Sequence, residues 1–306
     1  MFATILGPYP RPDGLDDEAA LDLALADQLD ADLGMLADGH ASPADDPLAA
    51  WSAAEACARL LASQRGVAPR PVKARLHGPF TAGRDAGGEA SSRERATLTA
   101  AEAGNAVLRS LLTAGAPLVQ VEEDGLTSIG PDDEAERTLA AEALRRLTDG
   151  VAGHLSLSVA GGDPCAAGAR VLYDAPFSSH VFDLIAGPDG WRVAREAPRE
   201  RGLIVGVADC RGPEADDVPV MLWAAHYAAS FGRRGLERVA LTTSAGLERL
   251  PGDLARAKLG GLSAAAALAA IRDGEALRDG LEFQALTRSA PPRRRPVPRR
   301  GPRRPS

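Results

Sequence analysis

Residues 118–126 read Leu-Val-Gln-Val-Glu-Glu-Asp-Gly-Leu. Leu118, Val119 and Val121, broken only by Gln120, run straight into Glu122, Glu123 and Asp124. A short apolar run with β-branched residues, closed by Gly125, reads as a buried strand. Adjacent carboxylates repel one another, and desolvating any one of them is costly. The strand therefore either ends in solvent or delivers acids to a site. The segment before it reads as a helix over 91–113. Leu98, Ala101, Asn105, Leu108 and Leu112 recur at three- and four-residue steps on one mostly apolar face, and Ser91 or Ser92 is the expected N-cap.

The same alternation repeats along the chain. Strand-like runs lie at 2–7, 33–37, 71–78, 118–122, 154–160, 179–186, 203–208 and 238–243, with helical spacing at 17–31, 47–65, 91–113, 133–149 and 218–232. Several strands are apolar on both faces, which calls for a parallel sheet covered by helices. Eight strand–helix pairs close most naturally into an α/β (β/α)8 TIM barrel with its site at the C-terminal strand ends. An open doubly wound sheet is the alternative. No GxGxxG or GxxxxGK[ST] loop follows a strand, which argues against nucleotide binding.

Composition agrees with a globular chain: 306 residues, 45% hydrophobic and 25% charged. Cys57, Cys165 and Cys210 show no CxxC spacing, so reduced thiols and a cytoplasmic location are expected. No charged-then-apolar leader and no membrane-length apolar run is present, and no membrane partner is expected. Only Lys73 and Lys258 are lysines; the other basic residues are arginines, as a GC-rich genome would give. Residues 291–306 (PPRRRPVPRRGPRRPS) hold seven Arg and no acid, so subtracting them from the net charge of −7 leaves −14 on the rest. The expected organisation is a barrel over 1–275 and a disordered Arg/Pro-rich tail over 276–306. Such a basic arm could contact nucleic acid without sequence preference.

The strand ends collect the unusual polar residues: Asp38-Gly39-His40, His77-Gly78-Pro79, Glu122-Glu123-Asp124 and Asp209-Cys210. Barrel topology would bring all of them to one rim. His154 and His180 sit at strand starts, on the opposite rim, and His226 lies in a helix; all three are expected to be structural.

In chain order, the turn Gly7-Pro8-Tyr9-Pro10-Arg11-Pro12, LADGH (36–40), VKARLHGPFT (72–81), LVQVEEDGL (118–126), GVADCRG (206–212) and LTTSAGL (241–247) with ARAKLGGLSAAA (255–266) resemble the catalytic, C-terminal domain of cobalamin-independent methionine synthase. That family shares a superfamily with uroporphyrinogen decarboxylase, and the likeness spans about residues 2–272. It implies a TIM barrel, methyl transfer, a small-molecule substrate and strand-four acids that hold a substrate ammonium. Glu122 and Glu123, with His40 and Asp209 on the same rim, would then bind an amino-acid or thiol substrate.

The resemblance also implies zinc, which lowers a thiol pKa so that a thiolate can attack a methyl group. The family's ligands are a His-x-Cys at the end of strand five, a Glu after strand six and a Cys in strand eight. Here Ser158, Ala160 and Ala245 stand at three of those places, with Asp183 or Ile185 at the fourth. Serine and alanine cannot replace imidazole and thiolate as tight zinc ligands. Zinc is accordingly not expected by the family pattern; His77 and Cys210 are the candidates for a relocated metal, and a folate-type methyl donor stays open. Three readings follow: a diverged methyltransferase, a non-catalytic ligand-binding or regulatory pseudoenzyme, and a metal-free acid/base lyase or decarboxylase.

Overall fold

The computed structural model describes residues 1–40, 44–212 and 216–289. The first unit, Met1–Ala270, holds a parallel sheet of β1 (Phe2–Ala3), β2 (Ala74–His77), β3 (Val119–Glu122), β4 (Leu155–Val159), β5 (Ser179–Asp183), β6 (Gly202–Ala208) and β7 (Val239–Thr243), in the order β1-β7-β6-β5-β4-β3-β2. Helices α1 (Asp17–Asp30), α2 (Pro47–Arg65), α3 (Pro79–Asp85), α4 (Ala90–Thr113), α5 (Glu134–Thr148), α6 (Gly168–Tyr173), α7 (Trp191–Glu196), α8 (Val218–Ser230) and α9 (Gly252–Ala269) connect them. This is a TIM-like α/β arrangement.

Among the described residues seven strands stand where eight were expected. Residues 33–37 form no strand; they touch the sheet through one isolated parallel bridge, Leu36 with Val72. Gly34 N donates to Ala3 O at 3.1 Å, Leu36 N to Pro71 O at 2.9 Å, and Lys73 N to Leu36 O at 3.0 Å. The segment thus hydrogen-bonds to β1 on one side and to the lead into β2 on the other. Gly34 is needed there, since a Cβ would fall 2.6 Å from Phe2 Cβ.

Local chemistry explains the helix starts. Asp16, Asp46 and Asp133 cap α1, α2 and α5 by accepting from Ala19 N, Ala49 N and Glu136 N, and Pro47 fills the first turn of α2. The cap of α4 differs from expectation. The helix begins at Ala90, with Ser91 and Ser92 inside its first turn and Glu89 in the cap position, where no side chain caps it. Its buried stripe is Thr97, Ala101, Gly104, Leu108 and Leu111, one step around from the expected face. Gly104 permits close approach to α5, where a Cβ would meet Leu147 Cδ1 at 2.7 Å. Asn105 then caps the end of α5, donating to the carbonyls of Leu147 at 2.8 Å and Asp149 at 2.9 Å.

The second unit holds α10 (Gly274–Ser289), which occupies residues 276–289 of the stretch read as disordered tail. Asp273 starts it: its Oδ1 accepts from Glu275 N and Ala276 N, both at 2.9 Å. The Arg-rich stretch 291–306, expected to contact nucleic acid, lies outside the described residues. No helix among the described residues is long and apolar enough to cross a membrane.

Candidate active site at the strand ends

Side chains alternate across each strand, so every second residue faces the inside of the sheet's curl. Leu6, Ala160, Val181, Ile204 and Ala240 form an apolar cluster there. On β3, and on β2 with the residue leading into it, the inward positions are polar instead: Lys73, Arg75, Gln120 and Glu122. Lys73 is fully enclosed and donates to Ile5 O at 2.6 Å and Gln120 Oε1 at 2.8 Å. Burial, with Arg75 nearby, lowers its pKa to about 7. Gln120 passes the chain of contacts on, donating from Nε2 to Glu122 Oε1 at 2.9 Å.

The three carboxylates of the strand end go three ways. Glu122 is held by Arg75, whose Nε and Nη2 donate to its two oxygens at 2.7 and 3.1 Å. The same guanidinium donates from Nη1 to Asp38 Oδ1 at 3.0 Å and to the His40 carbonyl at 2.8 Å. Glu123 is fully buried against the start of α3. Its Oε1 accepts from Phe80 N at 3.0 Å, and its Oε2 accepts from Thr81 N at 2.8 Å and Thr81 Oγ1 at 2.7 Å. It is therefore the anchor for the start of α3, and Gly78 makes room for it, since a Cβ there would fall 2.2 Å from Glu123 Cδ. Burial raises its carboxyl to about 7 against those three hydrogen bonds. Only Asp124 is open: Oδ1 accepts from Ala160 N at 3.0 Å, and among the described residues Oδ2 has no hydrogen-bond partner. Partial burial among protein atoms, with Glu122 nearby, raises it to about 6.

Asp124 opens onto a cavity of about 170 Å³ lined also by Arg75, Glu122, Ser158, Ala160, Ala245 and Gly246, with Pro8 on its wall. A second cavity of about 190 Å³, with Tyr9, Asp38, His40 and Glu248 in its lining, shares Pro8. Of the residues expected at the site, Glu122 reaches the first cavity and His40 the second, while Glu123 reaches neither. Asp209 also lines neither; its Oδ1 accepts from Arg211 N at 3.0 Å. The sequence reading gave Arg75 no role. Its signal was present in VKARLH, where two cations alternate with Val72, Ala74 and Leu76 in a strand otherwise built for burial.

The ligand positions implied for zinc can be tested directly. Ser158, Ala160 and Ala245 do line one cavity together, but a hydroxyl and two methyl groups are not a zinc-binding donor set. Asp183 is fully buried, its oxygens taken by Ile185 N, Ala186 N, Gly161 N and Arg211 Nη2. Ile185 carries no donor. The relocated candidates do not converge either. His77 Nε2 lies 3.2 Å from Asp85 on an open surface, whereas Cys210 is buried, its thiol pKa raised by burial. Among the described residues no group of three or more His, Cys, Asp or Glu side chains is placed to share a metal ion. The residues present do not fit the zinc site that the resemblance implies.

The histidines read as structural are held by neighbours or exposed. His180 is enclosed, its Nε2 2.8 Å from Leu172 O, between Tyr173 and Phe182. His154 Nε2 lies 2.9 Å from Ser179 Oγ, and His226 is exposed on α8.

No protein-family model and no curated protein matches this chain. Solved structures do. A B12-independent methionine synthase from Shewanella sp. W3-18-1, in complex with selenomethionine, aligns at a TM-score of 0.70 with 17% identity, covering 92% of this chain and 98% of that one. A methyltransferase from Methanosarcina mazei aligns at 0.62 with 14% identity, covering 87% and 94%. The chain is thus similar in fold, over nearly its whole length, to a methionine synthase and a methyltransferase.

Proposed function

We propose that this chain is a methyltransferase-related barrel, closed at the eighth position by residues 33–37, that binds a small amino compound at its C-terminal mouth. The observation that carries the reading is Asp124, which lines a ligand-sized cavity and keeps one carboxylate oxygen without a hydrogen-bond partner among the described residues. A cavity of about 170 Å³ is of the size that holds one small organic molecule, as engineered cavities of ~150 Å³ hold benzene. In the linings of the two cavities Asp38, Glu122, Asp124 and Glu248 outnumber Arg11 and Arg75, so the local charge favours an ammonium. The similar methionine synthase was solved with an amino acid bound, which supports the same ligand class.

The acceptor for that ammonium is Asp124, because Glu122 is already paired two-pronged with Arg75 and Glu123 holds α3. Thiolate activation by the family's zinc ligands has no counterpart in the lining residues, and no step is derived through a metal. A second reading is favoured by the Asp124 pKa of about 6: a carboxyl that gains and loses a proton near neutrality can serve as acid or base in a lyase or decarboxylase. Calorimetric titration of the full chain with L-homocysteine and L-methionine tests the binding reading. Binding by the native protein that is lost in Asp124→Asn is expected. Absence of binding, or equal binding by the variant, overturns it.

A further inference from the structure

The Arg75 guanidinium, only 2% exposed at its side chain, is enclosed by acceptors from two other segments. Glu122 on β3 grips it at 2.7 and 3.1 Å, and Asp38 and the His40 carbonyl grip it at 3.0 and 2.8 Å. The acceptors are themselves fixed. Gln120 donates to Glu122 Oε1 at 2.9 Å, and His40 N donates to Asp38 Oδ1 at 3.1 Å. Inward barrel positions are ordinarily filled by branched aliphatic residues. Burying an ion cluster in their place brings no stability over apolar packing. A planar fork of donors met by a two-pronged carboxylate, a second carboxylate and a carbonyl is the geometry of a guanidinium receptor. Arg75 and Glu122 also line the mouth cavity, so the receptor adjoins the place where a ligand would sit.

We propose that Asp38, the His40 carbonyl and Glu122 form an inner cation subsite of the mouth that the chain fills with its own Arg75, and that its exogenous occupant is a monoalkylguanidinium. In the native protein this subsite excludes a ligand cation from Glu122. The inference goes beyond the amino-ligand reading and is tested without it.

Arg75→Ala removes a fragment equivalent to ethylguanidinium and leaves two carboxylates without their cation. The full chain carrying this change is refolded from urea and melted in millimolar ethylguanidinium chloride, with sodium chloride as the matched control. Refolding yield and Tm of the variant should both rise with ethylguanidinium, Tm with the logarithm of its concentration, while the native protein shows no response. Adding Glu122→Gln to the variant should weaken the response about tenfold, the effect of losing a charge-assisted hydrogen bond. Arg75→Lys, which keeps a cation in the subsite, should not respond. A folded Arg75→Ala variant indifferent to ethylguanidinium, one that fails to refold equally with and without it, or an Arg75→Lys variant that responds as strongly overturns the proposal.

Discussion

Replacing Glu123 by glutamine converts one enclosed carboxyl into an amide of the same shape. In the native protein this carboxyl has no exposed surface, accepts hydrogen bonds from Phe80 N, Thr81 N and Thr81 Oγ1, and titrates at about 7 rather than its ordinary 4.5. Unfolded, it returns to the ordinary value. Between those pH values the native protein holds a proton that the unfolded chain has released. The stability this group contributes is therefore full below pH 4.5 and is lost as pH rises through 7. At about 1.4 kcal/mol per pH unit the loss amounts to about 3 kcal/mol. Glutamine carries no such proton. Its amide nitrogen faces backbone or hydroxyl donors, at a pH-independent cost of about 1–3 kcal/mol. The stability of native protein minus variant should consequently fall by about 3 kcal/mol from pH 4.5 to 7.5. Contributions from Lys73 and the histidines cancel in that difference. Urea unfolding followed by circular dichroism, at half-unit pH steps on both proteins, reads it directly. A difference that is flat across this range refutes the assignment of Glu123 as a buried, proton-holding anchor of α3.

Three further outcomes are expected. Amino-ligand affinity should weaken as pH falls through about 6, where Asp124 takes up a proton, and Asp124→Asn should cost about 10–100-fold at pH 7.5, the worth of one charge-assisted hydrogen bond; a pH-independent affinity in calorimetry contradicts this. Gly78→Ala should destabilise by about 3 kcal/mol through overpacking, because its Cβ would fall 2.2 Å from Glu123 Cδ and 2.6 Å from Glu122 O; an unchanged Tm would show that α3 can move away freely. Equimolar zinc should leave Tm unchanged, since no described donor group converges on a metal position, and one tightly held zinc per chain by mass spectrometry would contradict that.

Much of the scaffold was legible from local chemistry. Five helices were placed to within two residues of their ends, because apolar spacing repeats with every turn, and three of them begin at an Asp cap. The strand carrying Glu122 was legible because a buried parallel strand concentrates β-branched residues. Two elements were not. Residues 33–37 contain a glycine packed on Phe2, and they meet the sheet through a few backbone hydrogen bonds that apolar content alone does not reveal. Helix α10 was hidden by the Pro/Arg composition of the residues that follow it, although Asp273 marks its start.

The acids at residues 122–124 show the boundary most clearly. Their identity and order, and their delivery by a strand to one rim, follow from sequence, since strand propensity and parallel topology are local and repetitive properties. Their division of labour does not follow. Glu122 is neutralised by an arginine 47 positions earlier in the chain, Glu123 is captured by backbone N–H groups of α3, and Asp124 lines the cavity with one oxygen free of protein hydrogen bonds among the described residues. Each fate depends on which donors lie within about 3 Å, and that distance is set by packing between segments far apart in the chain.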